Sequence, residues 1–432
     1  MPPNTSEAGR PPEVDGAPRG ADAGRADWRR VVTVFWLTSL IEGLGVSQVF
    51  AYLAPYLREV GVPDADRAAF VGLFSALIFV VGMPLVPLWG VWADLYSRKA
   101  VIARSALVEA VVFACVALSR EPWQLALSLL LIGFQLGNTG VMLAAIRDVV
   151  PRHRIGTLIA IFGVSGPIGF AVGPALGALL VDGFGLSLSA MFWVSAGLSI
   201  AAAALVWFGA AEVRPEVIPK GRVLPLAYGA LRGVLGDPAV RRIFAIYGVA
   251  FLASQMSRPY QALIVEHIVG PGPGLTSAIG FVAGPAALVG AAIAPLGGVI
   301  GDRIGFRPVL LTALIIGGVA LVAVPLVPTI PALALAVLAF TAANGLVGAM
   351  VFSLLATEVP PERRSQTLNL VYLPLYAAGI IGPAIGGTLA APFGAGAPFW
   401  AAATVFLVGA AVVALRVHPQ SRAAGPPPAL ES

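Results

Sequence analysis

Apolar runs long enough to cross a bilayer recur along the chain, near 31–57, 68–89, 101–119, 123–146, 157–181, 187–211, 241–265, 276–300, 308–327, 331–356, 367–391 and 396–415. A helix needs roughly 20 apolar residues to span the hydrocarbon core, so the expected fold is all-α, a polytopic membrane protein of about twelve transmembrane helices. Composition agrees: 58% hydrophobic residues, 11% charged residues and a mean hydropathy of +0.88 lie far from a soluble domain's averages.

The longest connection, 212–240, carries Arg214, Lys220, Arg222 and Arg232 and divides the chain into halves of six spans, 28–211 and 241–416. Residues 1–27 are rich in Pro, Gly, Ala and Asp and hold no apolar core, so they read as a disordered tail rather than a cleaved signal peptide. Residues 417–432 form a second tail. Basic residues mark the cytoplasmic side of a membrane protein. Of the 27 Lys and Arg, all but Arg58, Arg67, Arg120 and Arg258 fall in the tails and in the loops after even-numbered spans, or just inside span 3 as Arg104 does. Both termini and the linker are therefore expected in the cytoplasm. The net charge of +5 and pI near 9.6 follow from this one-sided placement and call for no nucleic-acid partner. The lone Cys115 excludes an internal disulfide and argues against a thiolate metal site. Two Lys against 25 Arg, with abundant Ala and Gly, hint at a high-GC bacterium and so at a bacterial plasma membrane.

Three motifs occur twice. The hairpin from Gly90 to Lys99, GVWADLYSRK, returns about 208 residues later from Gly298 to Arg307 as GVIGDRIGFR. Asp148 opens a Pro- and Arg-rich loop after span 4, and Glu358 opens a similar loop after span 10. Gly173, Pro174 and Gly177 in span 5 match Gly382, Pro383 and Gly386 in span 11. Such internal repeats are how many transporters build alternating access.

With these residues in hand, the chain resembles the major facilitator superfamily, and within it the bacterial twelve-span drug:H⁺ antiporters. The family's loop 2–3 signature is met by Gly90, Asp94, Arg98 and Lys99, with Ser97 where Gly is usual. The resemblance implies a cytoplasmic gate at this hairpin, with Asp148 one carboxylate that Arg98 and Lys99 can meet, and with Gly298, Asp302, Arg307 and Glu358 its second copy. The reading of Lys99 as a solvated loop residue stays open. The family's antiporter motif in span 5 is matched by Gly169, Gly173, Pro174 and Gly177, with Ala178 in place of a final Gly. Small residues let helices approach closely, and Gly173 with Pro174 is expected to pack span 5 against the opposite half. The family's span-4 Arg, used in proton transfer, has no counterpart around Gly133 and Gly137.

Ionisable groups inside spans cost roughly 2.5–3.5 kcal/mol on insertion scales and point to function. Glu42 lies roughly 18 Å along a helix from Arg30 and 24 Å from Arg58, near the bilayer midplane. Span 1 lines the central cavity in the family, which makes Glu42 the first proton-coupling candidate and Glu109 in span 3 the second; a structural hydrogen bond is the other reading for both. Arg104 is expected to snorkel toward the cytoplasm. Arg258 has three readings open: binding an anionic substrate group, offsetting Glu42, or bonding Glu266 or a carbonyl at an outer gate. Trp36, Gln48, Gln135, Asn138, Gln255, Tyr260, Asn344 and Tyr372 complete the expected cavity, which would suit a mostly apolar ligand with a few hydrogen-bonding groups.

The chain thus reads as a proton-coupled exporter of small lipophilic compounds or drugs, expected to be a monomer in the lipid bilayer with a small molecule and protons as its partners. The alternatives are an exporter or symporter of a sugar or other polar metabolite and, from another class, a non-transporting sensor. No phosphate-binding loop, catalytic cluster or metal motif is present, so neither an enzyme nor a cofactor is expected.

Overall fold

The computed structural model describes residues 27–215, 218, 220–236, 238–358 and 372–416. Nearly all of the tail expected over 1–27, and the whole of the 417–432 tail, lie outside these residues. Among the described residues every regular element is helical. The first half holds α1 (Trp28–Glu59), α2 (Asp64–Leu95), α3 (Arg98–Leu118), α4 (Pro122–Val149), α5 (Arg152–Gly183) and α6 (Leu188–Gly209). A connecting helix α7 (Val223–Gly236) leads to α8 (Pro238–Ser257) and α9 (Gln261–Val269), followed by α10 (Leu275–Ile304), α11 (Phe306–Ala323), α12 (Ile330–Glu358), α13 (Tyr372–Phe393) and α14 (Ala397–Arg416).

Eleven of these helices are long and apolar enough to cross a membrane, where the sequence predicts about twelve. The missing one is the span expected over 241–265. That stretch carries Arg241, Arg242, Gln255 and Arg258, which lower its hydropathy, and residues Arg258–Tyr260 form a 3-10 turn between α8 and α9. Proline lacks the N–H that would continue the ladder, and its ring clashes with the preceding turn. The segment still packs inside the bundle, against α12, α13 and α14.

Helix starts follow local chemistry. Ser97 caps α3 by accepting the Ala100 amide at 3.0 Å, and Gln124 reaches back to the Arg120 amide at 2.7 Å ahead of α4. α4 is not one continuous helix: a 3-10 turn at Ile132–Phe134 and a left-handed Gly137 (φ 98°) divide it near its middle. This break lies where α4 meets α2, and a Cβ on Gly133 would come within 2.5 Å of the Gly82 amide nitrogen.

Two kinds of glycine seam organise the molecule. Within the first half, α5 lies against α1 so closely that a Cβ on Gly169 would meet Leu40 O at 2.2 Å, one on Gly173 would meet Ser47 Oγ at 2.0 Å, and one on Gly177 would meet Tyr52 Cε2 at 2.3 Å. Gly382 and Gly386 do the same in the second half, where their Cβ atoms would lie 2.9 Å from Met256 N and 2.6 Å from Tyr260 Cε2. The expectation that Gly173 faces the opposite half is therefore corrected: it serves the seam with α1. Contact between halves falls to the carbonyl beside it. A Cβ on Gly280 of α10 would meet Pro174 O at 2.9 Å, and one on Gly72 of α2 would meet Pro383 O at 2.5 Å. The absence of a side chain at Gly280 and Gly72 on the partner helices lets these carbonyls come close.

Candidate functional site

Between the halves lies a cavity of about 820 Å³. Its walls come from α1 (Ser47, Phe50), α5 (Phe170), α8 (Phe251, Gln255) with Arg258, α10 (Ala286, Pro295) and α12 (Phe340, Asn344). The lining is mainly aliphatic and aromatic, interrupted by a few neutral polar groups, the composition that suits a small organic ligand. From Ser47 and Arg258 the cavity runs along α5, α10 and α12 toward the end of the bundle that carries the 90–99 hairpin.

The opposite end is closed. Tyr52 Oη donates to Pro174 O at 2.5 Å and approaches Thr276 O of the other half at 3.3 Å. Asp182, at the end of α5, accepts the Gly274 and Ser277 amides at 3.2 and 2.7 Å, capping the start of α10 across the interface. Beside these bonds sits an ion cluster. Glu266 of α9 is held by Arg67 at 2.9 and 3.0 Å and by Arg58 at 2.5 Å, and Asp64 meets the same two arginines at 3.0 and 3.2 Å. Arg67 and Glu266 are both buried. Sequence reading missed this cluster; its one signal was that Arg58 and Glu266 occupy the same place in the two repeats, about 208 residues apart.

Several expected cavity residues lie elsewhere. Gln48 points into the first half, where its amide donates to Gly173 O at 3.2 Å and its carbonyl accepts from Ser195. Trp36 donates to Ile161 O at 3.1 Å. Tyr260 is fully buried and donates to Pro383 O at 3.1 Å, filling in the second half the role of Tyr52 in the first. Gln135 and Asn138 sit at the break in α4, inside the first half. Gln255, Arg258 and Asn344 do line the cavity. The side chains of Tyr372, Asp302 and Glu358 lie outside the described residues.

Glu42 is not on the cavity wall. The turn of α1 that carries it faces α4, and Asn138 Nδ2 donates to both carboxylate oxygens at 2.6 Å. Glu109, 1% exposed, lies on the adjoining α3, accepts from Ser199 Oγ at 3.2 Å and leaves its other oxygen without a partner. Ser105, between them in sequence, donates to Gln135 O at 2.8 Å, a carbonyl freed by the break in α4. Arg104 does not snorkel away: its guanidinium stacks 3.5 Å from the centre of the Trp89 ring, with both terminal nitrogens unpaired. The first half thus encloses two carboxylates, a guanidinium and several incompletely bonded polar atoms. Such groups in hydrocarbon are costly and mark functional positions.

At the hairpin end, Arg98 is buried and bridges Asp94 at 2.9 Å and Asp148 at 2.7 Å, tying together the end of α2, the start of α3 and the end of α4. Glu212, unforeseen from the sequence, accepts from Ser97 Oγ at 2.5 Å and from the Arg98 amide at 3.0 Å. Lys99 lies over the Trp207 ring at 5.6 Å. All these bonds stay within the first half. A Cβ on Gly90 or Gly298 would meet open space, and Arg307 donates to Ala414 O at 2.7 Å.

The sequence profile of the Major Facilitator Superfamily matches residues 35–266 and 243–431, and the chain belongs to that superfamily of membrane transporters rather than to any enzyme family. It is 28% identical over 388 residues to the multidrug resistance protein MdtG of Citrobacter koseri, covering 89% of this chain and 94% of that one. Among solved structures, a variant of the nucleoside transporter NupG superposes with a TM-score of 0.74 at 15% identity, covering 89% of this chain and 99% of the other. A bacterial homologue of the human lysosomal transporter Spinster, inward-facing and unoccupied, gives 0.71 at 17% identity, with 89% and 96% covered. The last two likenesses concern the fold alone.

Proposed function

We propose that this protein exports small, largely apolar compounds, drugs among them, from the bacterial cytoplasm in exchange for protons, working as a monomer by alternating access. The observation that carries the reading is the cavity itself: about 820 Å³ between the halves, mainly apolar, and sealed at one end by ion pairs and glycine seams. The multidrug-resistance name of the Citrobacter koseri relative points the same way. The crowding of Lys and Arg at the hairpin end supports a cytoplasmic face there. On that orientation the structure is inward-facing, ready to admit substrate from the cytoplasm.

Protons enter through the first half. Glu42 is an acceptor only while ionised, and both its oxygens take the Asn138 amide; once protonated it also donates. That exchange alters the bonding between α1 and the start of the second part of α4 without any contact with substrate. Glu109 is the second carboxylate of the same interior. The domains expected over 28–211 and 241–416 rock against each other, with Asp94, Arg98 and Asp148 shaping the cytoplasmic gate. Accumulation of a panel of dyes and antibiotics in everted vesicles under an imposed pH gradient tests the reading. Uphill accumulation that collapses with the gradient supports it; transport of one polar metabolite alone, or none, overturns it.

A further inference from the structure

Arg258 stands alone in the cavity wall. It is the single charged side chain among the described residues that line the cavity. It sits in the 3-10 turn that Pro259 imposes between α8 and α9, so its position is set by a fixed break in the backbone rather than by a mobile loop. Two aromatic rings of the other half bracket it: the guanidinium carbon lies 4.9 Å from the centre of Phe50 on α1 and 4.7 Å from that of Phe170 on α5. Cation–π contact steadies the group and orients its plane, but it supplies no counter-charge.

No carboxylate among the described residues pairs with it. The acids that come nearest by sequence or by expectation are committed elsewhere: Glu266 to Arg58 and Arg67, Glu42 to Asn138, and Glu109 to Ser199. Arg258 therefore pairs directly with neither Glu266 nor Glu42. A guanidinium within a membrane bundle costs several kcal/mol, about 2.5–3.5 on insertion scales, and such residues almost always pair or face a water-filled path. What remains beside Arg258 is the cavity, with the neutral amides of Gln255, Gln261 and Asn344 and the rings of Phe50, Phe170, Phe251 and Phe340.

We propose that Arg258 is the anchor for an anionic group on the transported molecule, and that the substrates are amphipathic organic anions: one carboxylate, sulfonate or phosphonate on a flat apolar body. This rests on the transport reading above and narrows it. The guanidinium presents a planar fork of N–H donors that matches such oxyanions in a bidentate way. Phe50, Phe170, Phe251 and Phe340 line the same cavity and offer aromatic carbon to the body of the ligand. The site takes one anion and not two, because the repeat-equivalent position in the first half is Phe50, an uncharged residue lying against Arg258 itself.

Three probes with one ring system separate the possibilities: 2-naphthalenesulfonate, 2-naphthalenesulfonamide and 2-naphthyltrimethylammonium. Binding to the purified full-length protein is measured by isothermal titration, and export by uptake into everted vesicles. The sulfonate is expected to bind at least tenfold more tightly than the other two. Arg258→Gln is expected to erase that preference, lowering sulfonate affinity tenfold or more while leaving sulfonamide affinity within twofold. Arg258→Lys, which keeps the charge without the fork, is expected to fall between, and it decides the matter if the Gln variant does not fold. Equal or tighter binding of the ammonium or sulfonamide, no binding of any probe, or sulfonate affinity indifferent to both variants would overturn the proposal. Proton-driven export of the ammonium compound that ignores Arg258 would do so while leaving the transport reading intact; absence of export for every compound would remove both.

Discussion

The two halves share a backbone and divide the chemistry. Tyr52 donates to Pro174 O in the first half, and Tyr260, its repeat equivalent, donates to Pro383 O in the second. Gly280 crowds Pro174 O from across the interface just as Gly72 crowds Pro383 O. Among the described residues, the ionisable groups inside the bundle obey no such symmetry. The first half encloses Glu42, Glu109 and Arg104 in its interior. The second half gives the cavity Arg258, the one charged side chain among the described residues that line it, and the far end its buried carboxylate, Glu266. On the proposed mechanism, duplication supplies two bodies that rock on matched seams, and the unmatched charges decide what the rocking is coupled to. Even the position shared by Arg58 and Glu266 makes the point, since opposite charges at equivalent sites form a latch where like residues would repel.

The comparison breaks most readily at that latch. Glu266→Ala leaves the buried Arg67 with the exposed Asp64 as its remaining carboxylate; loss of the buried partner of an internal ion pair costs up to about 3–5 kcal/mol, and the closed end is expected to open. In a Cys115→Ser background, a cysteine placed at Thr276, which is buried in the closed end, should then react with a membrane-impermeant thiol reagent applied from outside more than tenfold faster. Unchanged labelling would show that the glycine seams alone keep that end shut.

The two seams can be told apart next. Gly173→Leu drives a side chain into Ser47 and Leu44 of its own half, and overpacking of this kind costs about 1–3 kcal/mol, so thermal stability should fall along with transport. Gly280→Leu places its bulk at the interface between halves, where separation relieves it. Stability should hold while labelling at the closed end rises. Equal loss of stability in both variants would show that the distinction between the seams is not real.

Much of this was legible in the chain. The apolar runs located the membrane helices, and the Gly-Pro pairs in spans 5 and 11 marked positions of close approach, because small residues and prolines leave a signature that does not depend on what faces them. Which way a polar side chain points was not legible. In a bilayer the lipid-facing and bundle-facing sides of a helix are both apolar, so periodicity gives little orientation. Glu42 turns to α4 and Gln48 to Gly173 and Ser195, while Gln255 faces the cavity. The break in α4 at Gly137 gave no warning beyond the glycines themselves, yet it frees the carbonyl that Ser105 takes and sets Asn138 against Glu42. Glu212 was overlooked because it lies just past the last residue of span 6, in what read as linker.

The smallest effect belongs to the hairpin. Asp94 is partly exposed and shares Arg98 with Asp148, so Asp94→Asn should cost less than about 1 kcal/mol of stability, as exposed ion pairs do. Folded yield should stay near that of the parent protein, and transport should drop several-fold as the balance between gate conformations shifts. Cysteine crosslinking between the hairpin ends of the two halves reads that balance, and an unchanged distribution would remove Asp94 from the gate.

The central claim is that the proton is carried inside the first half, away from the cavity, and is felt by the substrate only through the packing of α1 on α4. Glu42→Gln tests it most directly, since the amide keeps the shape of the protonated acid and removes the change of charge. In proteoliposomes with an imposed pH gradient, the variant is expected to bind substrate as the parent does and to equilibrate it downhill, yet to lose uphill accumulation altogether. Concentration of substrate against its gradient by the variant, with the parent's proton stoichiometry, would contradict the account.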